Sequence, residues 1–149
     1  MQNELHRQVQ EAGLDDVVQL TGWKRFEELV KLYRRAAVFI QPSRVTSSGD
    51  RDGIPNVLFE AMLFGLPVVA TSVSAIPELV VDRVTGLLVP PNNPEELATY
   101  VQTLLQDQEL AQQIAAAGKR KVDEEFASTT TTERLVRIYR ERITASAMS

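Results

Sequence analysis

Two carboxylates eight positions apart, Asp52 and Glu60, bracket the stretch of this chain best suited to chemistry. From Gly53 to Gly65 the sequence reads Gly-Ile-Pro-Asn-Val-Leu-Phe-Glu-Ala-Met-Leu-Phe-Gly, a glycine turn and then a helix opening at Pro55 or Asn56 and stopping at Gly65. Proline's fixed φ and missing N–H suit a first helical position, and glycine suits the left-handed residue after a last turn. Val57, Leu58, Phe59, Ala61, Met62, Leu63 and Phe64 are apolar on every side, the pattern of a helix buried all round. Glu60 is the single charge inside it. Burying a lone carboxylate costs at least roughly several kcal/mol, so Glu60 needs a protein cation or donor, or a ligand that offers hydroxyls. The helix N-terminus carries free N–H groups and partial positive charge, which makes it a seat for phosphate. Its candidate donors are the backbone N–H groups of Ile54, Asn56, Val57 and Leu58, with Gly53 permitting close approach because it has no side chain. The competing readings are a glutamate paired with an arginine and a glycine that only makes a turn.

The elements that must hold this stretch are legible on either side of it. Leu5, Val9, Ala12 and Leu14 are spaced as a helix face ending at Gly13, and Val17, Val18 and Leu20 predict a short buried strand. Phe26, Leu29, Val30, Tyr33 and Ala37 recur at helical spacing, followed by the apolar strand Ala37-Val38-Phe39-Ile40. Two more strands are predicted at Pro67–Thr71 and Gly86–Val89, making four. Continuous apolar strands alternating with helices imply a parallel sheet with helices on its faces, a Rossmann-like three-layer α/β domain. From Pro94 onward the pattern is helical, with a last amphipathic helix at Thr132–Ile143.

Composition excludes several classes of function. The 149 residues carry a formal charge of −4 and no basic stripe with interleaved aromatics, which argues against nucleic acid as a partner. There is no cysteine and only one histidine, His6, so disulfides, thiolate metal sites and histidine clusters are excluded. The first residues are too polar for a signal peptide, and no apolar run reaches the roughly 18 to 20 residues of a membrane span.

Ordered motifs identify a family. Asp52-Gly53-Ile54-Pro55-Asn56-Val57-Leu58-Phe59-Glu60-Ala61-Met62, then Gly65-Leu66-Pro67-Val68-Val69-Ala70-Thr71, Ile76-Pro77-Glu78-Leu79-Val80 and Thr85-Gly86-Leu87-Leu88-Val89 resemble the C-terminal, donor-binding half of GT-B glycosyltransferases. The match is to glycosyltransferase family 4, the group 1 transferases, whose signature is two acids separated by seven residues. The resemblance implies a retaining hexosyltransferase that uses a nucleotide diphosphate sugar, with no further cofactor and no metal. Glu60 is then expected on the ribose hydroxyls and Asp52 on the transferred sugar near the reacting carbon. The N–H groups of Ile54, Asn56, Val57 and Leu58 are expected on the diphosphate, with Gly53 allowing its close approach and Arg51 and Arg44 adding positive charge. Ser72 to Glu78 would lie at the carboxyl end of a strand beside the ligand, and Trp23 is expected in a core or interface, or flanking the nucleobase. Asp50-Arg51-Asp52 also spells the metal-binding Asp-x-Asp of the other large glycosyltransferase fold, a reading set aside because no further oxygen ligands follow in pattern.

The same resemblance implies one nucleotide-sugar-binding domain over residues 1–149 that lacks two strands of the family domain, its diphosphate-gripping basic pair and its acceptor domain. Such a chain is expected to need an N-terminal acceptor domain or partner chain, to be inactive alone, and to self-associate through exposed edges. The expected location is the cytoplasm, with the full enzyme peripheral to the inner membrane face. The alternative is a non-catalytic interaction module, or one half of a split enzyme.

Overall fold

The computed structural model describes residues 2–44 and 53–126. The chain divides into two compact units, Met1–Leu32 and Tyr33–Ser149.

In the first unit, α1 (Gln2–Glu11) ends as its sequence dictates. Gly13 takes φ +64°, and the N–H groups of Gly13 and Leu14 close back onto the carbonyls of Gln10 and Val9 at 2.9 and 3.0 Å. The predicted strand at Val17, Val18 and Leu20 does not form. The N–H groups of Val17 and Val18 both turn back to the Leu14 carbonyl, at 3.1 and 2.8 Å, and no strand among the described residues pairs with this segment. A single apolar run cannot satisfy its own backbone as a strand without a neighbouring ladder, so local turns take its donors. Val17 is 76% and Trp23 84% exposed, so Trp23 is not a core residue.

α2 (Phe26–Tyr33) runs on the predicted apolar spacing but stops at Tyr33, leaving Ala37 exposed outside it. The second unit holds a three-stranded parallel sheet in the order β1 (Phe39–Gln41), β2 (Val68–Thr71), β3 (Leu87–Val89). Ile40 lies opposite Val69, and Ala70 opposite Leu88. Every residue of β2 is buried, as expected of the centre of a parallel sheet. α3 (Asn56–Leu63) joins β1 to β2, and the short α4 (Ile76–Leu79) precedes β3. α5 (Pro94–Gln106) starts with Pro94 behind the cap Asn93, whose side chain accepts from the Glu96 N–H. α6 (Gln108–Lys121) starts at Asp107, which caps Leu110 in the same manner, and runs into a π-helical turn, Val122–Phe126. Val69, Leu87, Leu104 and Ile114 form a core between the sheet and these two helices.

Thr85 fastens the approach to β3. Its buried hydroxyl donates to the Leu79 carbonyl at 3.0 Å and accepts the Val81 N–H at 2.8 Å. The fold is therefore α/β and Rossmann-like, with three strands rather than four among the described residues. The predicted helix at Thr132–Ile143 lies outside those residues.

Candidate functional site

Both ends of α3 are set by the residues that the sequence marks. Pro55, at φ −59° and ψ 130°, stands before the first helical residue. At the other end Gly65 takes φ +73°, and the N–H groups of Gly65 and Leu66 close onto the carbonyls of Met62 and Ala61 at 2.9 and 3.0 Å. The helix is not buried all round: Leu58, Ala61 and Met62 are buried, whereas Leu63 and Phe64 are exposed. The buried stripe meets α6 and β2, and the π-helical turn after α6 also touches the helix.

No side chain caps the start of α3. Among the described residues the N–H groups of Ile54, Asn56 and Val57 have no acceptor, while that of Leu58 bonds to the Pro55 carbonyl at 3.0 Å. Leu58 therefore leaves the set of free donors, and three remain. Gly53 does not take a positive φ, and a Cβ built on it meets nothing within 4 Å among the described residues. Neither backbone conformation nor internal packing asks for glycine there. Arg51 and Asp52, with Asp50, lie outside the described residues.

Glu60, four residues along from Asn56 and so on the same face of α3, is half-buried. Among the described residues its partner is not an arginine but Tyr33, whose hydroxyl donates to Oε2 at 2.9 Å. The Tyr33 ring is only 6% exposed, stacked on Phe64 at 5.3 Å between centroids and tilted against Phe39 at 6.1 Å. On the other side of Glu60, an open cleft of about 560 Å³ is lined by Asn56, Phe59, Glu60 and Leu63 of α3 and by Val122, Asp123 and Phe126 of the π-helical turn. The rings of Phe59 and Phe126 meet across it at 5.2 Å. Tyr33 and Phe126 were legible only as apolar-face residues, although a phenol on a buried face does signal that an acceptor must be near.

Burial, the hydrogen bond to Glu60 and the charge of Glu60, in that order, push the Tyr33 hydroxyl from 10.0 up to about 12. A group whose pKa is higher in the folded chain stabilises it fully below its unfolded pKa and loses that contribution as pH rises through the folded value. The melting temperature should fall more steeply from pH 10 toward 12 in the parent than in Tyr33→Phe. Parallel curves would show that the phenol is not held as described.

A second, smaller cleft of about 160 Å³ opens at the carboxyl ends of β1 and β2, lined by Pro42, Ser43, Arg44, Thr71, Asn92, Asn93, Pro94 and Leu97. The Thr71 hydroxyl donates to the Ser43 carbonyl at 2.7 Å and so fixes the exit of β1. Arg44 is exposed at its rim. Ser72 to Glu78 follows β2, but Glu78 is exposed on α4 and lines neither cleft.

The sequence profile of the glycosyl transferases group 1 family matches residues 1–121. The chain belongs to this family. Among its group 1 relatives it is 36% identical over 126 residues to the amylovoran biosynthesis glycosyltransferase AmsK of Erwinia amylovora, covering 85% of this chain and 31% of AmsK. It is 38% identical over 127 residues to the putative colanic acid biosynthesis glycosyltransferase WcaL of Escherichia coli, covering 84% of this chain and 31% of WcaL. Among solved structures, Anabaena HepE in complex with UDP-glucose superposes with a TM-score of 0.80 at 26% identity, covering 93% of this chain and 36% of HepE. This group 1 chain thus spans about a third of the length of the relatives that it matches. No helix among its described residues is long and apolar enough to cross a membrane.

Proposed function

We propose that this chain is the donor-binding part of a retaining glycosyltransferase, one that moves a hexose from a nucleoside diphosphate sugar to an acceptor held by protein outside the chain. The observation that carries the reading is Glu60: a half-buried carboxylate held by a neutral hydroxyl, one turn from a helix start where three N–H groups have no acceptor among the described residues. A carboxylate accepts two hydrogen bonds from a vicinal diol, so Glu60 takes the ribose. The N–H groups of Ile54, Asn56 and Val57 take the diphosphate, and Gly53 lets it approach the backbone. Arg51 lies close in sequence to add charge, and Asp52 is assigned to the hydroxyls of the transferred sugar.

The chemistry asked of these groups is positioning and charge stabilisation. As the bond from the anomeric carbon to the diphosphate breaks, negative charge grows on the leaving oxygen. Fixed N–H dipoles at the α3 N-terminus stabilise that charge without reorganising. No side chain has to act as a nucleophile. Relatives named for amylovoran and colanic acid biosynthesis support a surface polysaccharide as the product class.

Calorimetric titration with UDP and with GDP, each with and without Mg²⁺, tests the reading. Saturable binding of one nucleotide, unchanged by Mg²⁺, is expected. Binding of neither would overturn the donor-site assignment, and strict dependence on Mg²⁺ would return Asp50 and Asp52 to the role of metal ligands.

A further inference from the structure

We propose that Tyr33 is a positioning residue of the donor site, setting the orientation in which Glu60 presents its carboxylate to the ribose diol; the inference rests on the ribose assignment above. The phenol has one proton to give, and it gives it to Oε2 of Glu60 at 2.9 Å. Oε1 has no hydrogen-bond partner among the described residues, and Oε2 keeps lone-pair capacity beyond the bond from Tyr33. The carboxylate is thereby fixed in rotation with its acceptor capacity nearly intact. An arginine at the same place would engage both oxygens at once and compete with the diol.

The hydroxyl of Tyr33 is itself held in place. Its ring is buried between Phe39 at the start of β1 and Phe64 at the end of α3, so the position of the donor is set by sheet and helix together. A tyrosine has only two side-chain torsions to fix, and both are fixed by this packing. Tyr33 reaches Glu60 from 27 positions away in sequence and lines neither cleft, so it acts on a ligand only through the carboxylate.

The test is to measure Tyr33→Phe, Glu60→Gln and the double variant against UDP, GDP and their 2′,3′-dideoxy counterparts. Tyr33→Phe keeps both ring contacts and removes only the hydroxyl. It should weaken the ribonucleotide about 5- to 20-fold, less than the roughly 10- to 150-fold of a whole hydrogen bond to a charged group because the carboxylate itself remains, while changing the dideoxynucleotide by less than about 2-fold. In the double variant the loss should fall well short of the product of the two single effects, because both act on one contact. Equal weakening of ribo- and dideoxynucleotides would make Tyr33 a merely structural residue and overturn the inference. So would an unchanged ribonucleotide affinity in Tyr33→Phe. If the parent chain binds no nucleotide, or Glu60→Gln does not alter the ribose discrimination, the donor-site assignment falls and this inference with it.

Discussion

Glu60→Gln should weaken binding of the cognate nucleoside diphosphate by roughly 10- to 100-fold while the chain still melts within a few degrees of the parent. The two halves of the expectation come from different contacts. A glutamine keeps one oxygen that can accept from Tyr33, so the one hydrogen bond that ties Glu60 to the fold has a replacement. What it loses is the second acceptor and the negative charge, the features that suit a carboxylate to a vicinal diol. The face of α3 that stabilises the unit, Leu58, Ala61 and Met62, is untouched. A fall in melting temperature of about 10 °C or more would instead assign Glu60 to structure. Unchanged affinity together with unchanged stability would remove the ribose contact altogether.

The features that sequence made legible here are those fixed by local physics. Gly13 and Gly65 close their helices by the left-handed turn that only glycine adopts at little cost, and Pro55 marks the start of α3. The apolar runs at Phe39, Val68 and Leu87 became the three parallel strands, each within a residue or two of the expected bounds. Features that depend on who meets whom were not legible. Val17, Val18 and Leu20 have the composition of a strand, but a strand exists only with a hydrogen-bonding neighbour, and composition does not report one. Phe59, Leu63 and Phe64 are as apolar as Met62, yet only Met62 is fully buried, because α6 approaches one side of α3.

Glu60 shows the boundary most plainly. Its isolation among apolar residues signalled that a partner was required. Which partner depended on Tyr33 being brought against it by the fold, and sequence left a protein cation, a donor or a hydroxyl-bearing ligand open, with arginine only as the competing structural reading. Asp52 and Arg51, the other half of the motif, lie outside the described residues, so the site stands on Glu60 and the start of α3.

Gly86→Ala should be strongly damaging, lowering stability by about 1–3 kcal/mol and the melting temperature by roughly 2–12 °C. A Cβ at Gly86 would stand 2.5 Å from Cγ1 of Val80 and 3.1 Å from the carbonyl oxygen of Val68. Both valines are 0% exposed, so neither can swing into solvent, and the Val68 carbonyl belongs to the central strand. Gly86 does not take a positive φ, so the cost is packing and not backbone conformation. Val80→Ala removes the clashing methyl, and in the Gly86→Ala background it should cost less than it does alone. Gly53→Ala provides the contrast, since its added methyl meets nothing among the described residues and should leave the melting temperature in place. The damage at Gly86 has a path to the site. Thr85 sits beside Gly86, its carbonyl lies 3.0 Å from where a Cβ on Gly118 would stand, and the same position is 2.8 Å from Met62 of α3. Thr85 and Met62 thus both close on the bare backbone of Gly118, so a shift at the start of β3 is expected to be felt at α6 and, through Met62, at the helix that carries Glu60. Nucleotide affinity should fall in Gly86→Ala even at temperatures where the chain is fully folded, and recover in part with Val80→Ala. A Gly86→Ala chain that melts within about 2 °C of the parent would show that the sheet yields at this point, and that the α3 helix is not held from below as these contacts imply.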